Sequence, residues 1–192
     1  MSLNPAPKGV GFFFVRHKFI AHFWLWSVLL LLGLSVLHFS DFYIGRFHDD
    51  AYYFLAARSL LQSQYVDLAA PGQPPLTTFY PGYPAILALW SFFFGLSFFT
   101  ARLLSLVLTL SVLVLAIITA SRQLGPRRLA LFSVMLAVHP LMTQLSGAVL
   151  SEPAYLFFSL LAFFIFQKFS LLKVSDRGQI ARDYFFGLIA SI

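Results

Sequence analysis

Pro84-Ala85-Ile86-Leu87-Ala88-Leu89-Trp90-Ser91-Phe92-Phe93-Phe94-Gly95-Leu96-Ser97-Phe98-Phe99 is an uncharged apolar stretch interrupted by Gly95. It is short for a membrane helix, which needs about 20 mostly apolar residues. Longer apolar runs stand on both sides: Phe19–Phe39 before it, and Ala101–Ala120, Leu129–Val149 and Ala154–Leu172 after it. A further run begins near Tyr184 and continues to Ile192. Whether 84–99 spans therefore decides the side on which everything else lies. If it spans, Arg122, Arg127 and Arg128 end up opposite residues 1–18. If it is interfacial or re-entrant, the basic segments 1–18, 122–128 and 168–182 share one side, as the positive-inside rule prefers. Those segments hold ten of the 13 Lys and Arg, and the other side then holds Asp41, Asp49, Asp50, Asp67 and Glu152, five of the seven acids. The expected fold is all-α: a polytopic transmembrane helical bundle with a cytoplasmic N-terminus. Its long first outer loop, Ser40–Thr100, is expected to contain interfacial helices.

Composition supports a membrane chain. Hydrophobic residues make up 59% of the 192 and charged residues 10%, against roughly 25% charged in a soluble domain. So few charges cannot cover a water-facing surface. The 24 Phe suit lipid-facing positions. The net charge of +6 is gathered between apolar runs, which is a topology signal and not the spread basic face of a nucleic-acid binder. Cysteine is absent, which excludes disulfides and thiolate metal sites. Lys8, Arg16 and Lys18 precede the first apolar run as in a signal peptide. That run exceeds the ~7–15 residues of a signal core and no small-x-small site follows it, so it reads as an uncleaved first span.

Within the outer loop, Ala51–Leu61 carries Tyr53, Phe54, Leu60 and Leu61 among alanines and reads as an interfacial helix. Ala70-Pro71-Gly72-Gln73-Pro74-Pro75 ends helical structure. Phe79-Tyr80-Pro81-Gly82-Tyr83-Pro84 brings a kinked aromatic return to the membrane. The aromatic content argues against disorder.

The loop also holds His48-Asp49-Asp50-Ala51-Tyr52-Tyr53. An Asp at a helix start caps it and complements the helix dipole. One Asp suffices for that, and the second is available as a general base or metal ligand. Glu152, in Leu150-Ser151-Glu152-Pro153, reads as a helix start with Pro in the first turn, or as an acid facing an aqueous cavity near the membrane. Arg102 can neutralise a phosphate at the boundary or snorkel, and Arg58 has the same two readings. His139-Pro140 lies inside an apolar run, where Pro140 kinks the helix; the His is a functional intramembrane group or a packed, neutral one. His48 with the two aspartates can complete a small metal site, although consecutive residues rarely point at one ion. No Gly-rich phosphate loop, HExxH or nucleophile elbow is present.

The order of these features resembles the N-terminal part of the polytopic GT-C glycosyltransferases, the group that includes protein O-mannosyltransferases, aminoarabinose transferases and lipopolysaccharide-core transferases. The resemblance rests on Asp49-Asp50-Ala51-Tyr52-Tyr53-Phe54-Leu55-Ala56-Ala57-Arg58 after a first span, then Tyr80-Pro81-Gly82-Tyr83-Pro84, Gly95, Ala101-Arg102-Leu103-Leu104-Ser105, Arg122-Gln123-Leu124-Gly125 and Ser151-Glu152-Pro153. It covers nearly the whole chain. It implies an inverting transfer of a sugar from a polyprenyl-phosphate carrier to a lipid, glycan or protein acceptor at the non-cytoplasmic face of a bacterial inner membrane. It further implies Asp49 as the catalytic base, Asp50 and Glu152 as supporting acids or ligands of a divalent metal, and Arg58, Arg102 and Tyr53 as contacts to phosphate or substrate.

Members of that family are generally longer, and this chain stops inside an apolar run. The expectation is a single transmembrane domain over residues 1–192 that forms the N-terminal portion of a larger transferase domain and is inactive alone. A transporter subunit using Asp49, Glu152 and His139 as an ion path, and a non-catalytic membrane scaffold, are the readings from other classes.

Overall fold

In a computed structural model the described residues are 25–36 and 49–172. Their regular structure is helical, with one isolated antiparallel bridge between Val66 and Pro75. The helices are α1 (Leu25–Val36), α2 (Asp49–Leu61), α3 (Gly82–Phe94), α4 (Phe98–Ala120), α5 (Pro126–Ala137), α6 (Pro140–Gly147) and α7 (Glu152–Leu172). Of these, α4 is by itself long and apolar enough to cross a membrane.

Helix α4 is the hub, contacting α3, α5, α6 and α7, with α6 and α7 packed on it most extensively. One apolar cluster gathers Ala57, Tyr83, Leu87, Ala101, Leu104, Leu108, Val149 and Ala154 around its first half. A second gathers Leu31, Val112, Leu113, Ile117, Leu129 and Met142 around its second half. Helix α1 joins the second cluster along a buried stripe, Ser27, Leu31 and Ser35, spaced four apart and so on one face. Ser35 Oγ donates to the Leu31 carbonyl (2.6 Å) and lies 2.7 Å from Ser146 Oγ of α6, the kind of hydroxyl pair that fastens helices where water is scarce.

Of the segment 40–100, residues 40–48 lie outside the described residues, and the helix expected at 51–61 is present. Helix α2 starts at Asp49, two residues before the expected start, with both aspartates in its first turn and Arg58 in its last, each sign matched to the helix dipole. The proline-rich segment is pinned and not free. Val66 N–H donates to Ser59 Oγ (3.0 Å), Leu76 N–H to the Tyr65 carbonyl (3.0 Å), and the Tyr65 hydroxyl to the Phe79 carbonyl (2.7 Å). Helix α3 has 13 residues, about 20 Å at 1.5 Å per residue, short of the ~30 Å hydrocarbon core. It packs on α2, where the Tyr53 and Tyr83 rings meet edge to face at 5.0 Å.

The run Leu129–Val149 departs from the expectation of a single kinked span. It is two helices, α5 and α6, bent by 50° at Val138-His139, because Pro140 has no N–H to continue the ladder and its ring disfavours helical geometry at His139. Counted together as one bent pair they also reach spanning length and composition.

Helices α3 and α4 are joined by Gly95-Leu96-Ser97. Gly95 has φ 78° and ψ 152°, a region open essentially to glycine, although nothing lies within 4 Å of where a Cβ would stand. Gly95→Ala is therefore expected to destabilise by about 1–3 kcal/mol through backbone strain alone. Thermal unfolding in detergent, with Gly33→Ala as a comparison at an equally open glycine within α1, checks this.

Candidate functional site

Helices α2, α3, α4 and α7 meet around Tyr53, Tyr83, Ser105 and the Ser151 that precedes α7. The link between the two acidic helix starts is Tyr53, whose hydroxyl donates to Ser151 Oγ at 3.1 Å. Asp50 and Tyr53 are three apart on α2 and share a face, so the aspartate turn of α2 is tied to the residue that precedes Glu152. Tyr53 also packs against Phe79 and Tyr83, with ring centroids 5.3 and 5.0 Å away. The Tyr83 hydroxyl in turn lies 3.5 Å from Ser105 Oγ on α4. Burial pushes the Tyr83 phenol well above its ordinary pKa; the Ser105 hydrogen bond opposes this, and Tyr53 and Glu152 nearby add to it. Tyr83 is thus a neutral donor and acceptor at any ordinary pH. Arg102, one turn before Ser105 on the same helix, is 7% exposed, an unusual position for a cation.

The two aspartates are placed differently. Asp49 is exposed, whereas Asp50 is 3% exposed and its Oδ1 accepts the Ala51 N–H at 2.8 Å, serving one of the free amides of the first turn. Glu152 is exposed at the first residue of α7. It stands with Ser151 at one end of an open groove of about 740 Å³ between α3 and α7. The floor and walls are largely apolar: Tyr83, Ile86, Tyr155 and Phe158, with the small residues Ala154 and Ala162 leaving the room. From Ser151 to Ala162 the groove follows α7 for about 16 Å.

Other expected residues lie elsewhere. Arg58 is exposed in the last turn of α2, about 13 Å along the axis from Asp49, and its position serves the helix C-terminus. His139 is not buried mid-span. It is exposed as the N-cap of α6, with Nδ1 accepting the Leu141 N–H at 3.2 Å. His48 lies outside the described residues, and among those described no three His, Asp or Glu side chains gather as a metal donor set.

Tyr83, Ser105 and Ser151 stand in the quoted motifs, but the sequence reading gave them no role at the site. The available signal was Ser105 and Thr109, hydroxyls four apart and so on one face of a mostly aliphatic helix. Both are buried, so they mark the face of α4 that turns inward.

No family model, curated protein or solved structure matches this chain.

Proposed function

We propose that this chain forms the acid-bearing half of a multi-pass membrane glycosyltransferase of the GT-C kind, working at the non-cytoplasmic face on a sugar carried by a polyprenyl phosphate. The observation that carries the reading is the Tyr53–Ser151 hydrogen bond. It brings the Asp49-Asp50 turn and Glu152 to one end of the fold, beside an apolar groove and a buried arginine. Such a groove suits a lipid tail, and its volume lies in the usual range of about 300–1,000 Å³ for small-molecule sites. The N-termini of α2, α3 and α7 favour negative charge, as helix N-termini do.

In this reading the acceptor hydroxyl attacks the anomeric carbon from the face opposite the lipid phosphate. Asp49, the accessible carboxylate, takes the hydroxyl proton as the new C–O bond forms. The bond from the anomeric carbon to the phosphate oxygen breaks, and the phosphate leaves with its electron pair. Arg102 and the helix N-termini stabilise the charge that develops there. Asp50 holds the α2 turn that presents Asp49.

The test is sugar transfer in membranes containing the protein, from a radiolabelled polyprenyl-phosphate sugar to extractable lipid, glycan or protein. Incorporation that depends on the gene, with inverted anomeric configuration in the product, supports the proposal. Retained configuration, or equal incorporation in membranes lacking the protein, rejects it.

A further inference from the structure

The densest exposed apolar surface of the fold is at the α3–α4 turn. Phe92 and Phe93 are 74% and 71% exposed, and Phe94, Phe98 and Phe99 stand exposed around the same bend. Between Asp67 and Arg102 there is no Lys, Arg, Asp, Glu or His. Several polar groups of the bend are bonded to one another, whereas the buried Ser91 Oγ has no partner. Gly95 N–H donates to the Ser91 carbonyl (2.8 Å), and Trp90 Nε1–H to the Thr100 carbonyl (2.9 Å). Ser97 N–H donates to Thr100 Oγ1 (3.0 Å), Thr100 N–H to Ser97 Oγ (3.1 Å), and Thr100 Oγ1 to the Gly95 carbonyl (2.7 Å).

We propose that this bend is a lipid-inserted wedge, its five phenylalanines seated among the acyl chains of the leaflet that α4 enters. Three features select lipid over protein as the occupant. The aromatic patch runs without a break into α4, the helix long and apolar enough to cross a membrane, so the two apolar surfaces are one. A protein interface carries a polar, often charged rim, and the stretch between Asp67 and Arg102 that forms this patch supplies no charged residue for one. A bend that satisfies these donors and acceptors internally can leave water, which is the condition for non-helical backbone at membrane depth. It follows that α4 begins beneath the lipid surface and that α3 slopes down to meet it, carrying the Tyr83 end of the groove away from the hydrocarbon. The proposal needs α4 in a membrane and does not depend on sugar transfer.

The chain has no cysteine, so single substitutions report cleanly. Phe92→Cys and Phe93→Cys are labelled with bimane, with Ala70→Cys in the pinned loop as the aqueous comparison. The full chain is reconstituted in phosphatidylcholine vesicles with or without a doxyl-labelled phosphatidylcholine, and titrated with iodide. Labels at 92 and 93 are expected to be quenched by the doxyl lipid and to show several-fold weaker iodide quenching than the label at 70. Iodide quenching at 92 and 93 equal to that at 70 overturns the proposal. So does shielding from both iodide and doxyl lipid, the result expected if a second copy or another protein covers the patch. Both labelled positions are exposed, so neither substitution removes core packing. Circular-dichroism spectra of the Phe92→Cys and Phe93→Cys proteins that match the cysteine-free chain verify the fold.

Discussion

Asp49→Asn is expected to lower sugar transfer by a factor of about 10²–10⁴, with insertion and folding unchanged. Asparagine matches aspartate in size and nearly matches it as a helix-start residue, so what it removes is the ability to accept a proton. Asp50→Asn is expected to lose distinctly less rate, because the buried Asp50 already spends Oδ1 on the Ala51 amide, and an asparagine oxygen can accept the same bond. Rates in membranes holding matched amounts of protein decide the matter. If Asp49→Asn transfers sugar at close to the parental rate, Asp49 merely complements the α2 dipole and its assignment as the base fails.

Arg102→Leu is expected to reduce kcat by about 10²–10³, the usual consequence of deleting one preorganised charge from a site where negative charge develops. Arg102→Lys keeps the charge while losing the planar fork, and should recover a substantial part of the rate. Both variants need their folded yield measured by gel filtration, since Arg102 is buried on the inward face of α4. At equal folded yield, a Lys variant no more active than the Leu variant would mark Arg102 as a packing residue only.

The parts of this fold legible in sequence were those that depend on local chemistry. Aspartates before an alanine-rich segment placed α2, and the brevity of 84–99 foretold a helix as short as the 13 residues of α3; α2 itself ends at Leu61, ten residues before Pro71. The break at His139-Pro140 was legible only as a kink. A proline removes one hydrogen bond wherever it stands, but whether the helix bends or stops depends on what accepts the freed groups. Here the His139 ring accepts one of the α6 amides, so the chain stops and restarts. The polar cluster was legible as separate acids and not as a site. Tyr53 and Ser151 are 98 residues apart, and nothing in either neighbourhood names the other. Which of two adjacent aspartates faces inward was equally out of reach, because it turns on the rotation of α2 against its neighbours.

The Ser35–Ser146 hydrogen bond joins residues 111 positions apart, and that separation is also a waiting time. A ribosome adding about 5–20 residues per second needs about 6–22 s to make the chain between them. In the proposed multi-pass arrangement α1 rests in lipid through that interval, with a hydroxyl on the face it later buries. The carbonyl of Leu31, 2.6 Å from Ser35 Oγ within the same helix, gives that hydroxyl a partner before α6 exists. The helix can thus be threaded early and clasped late.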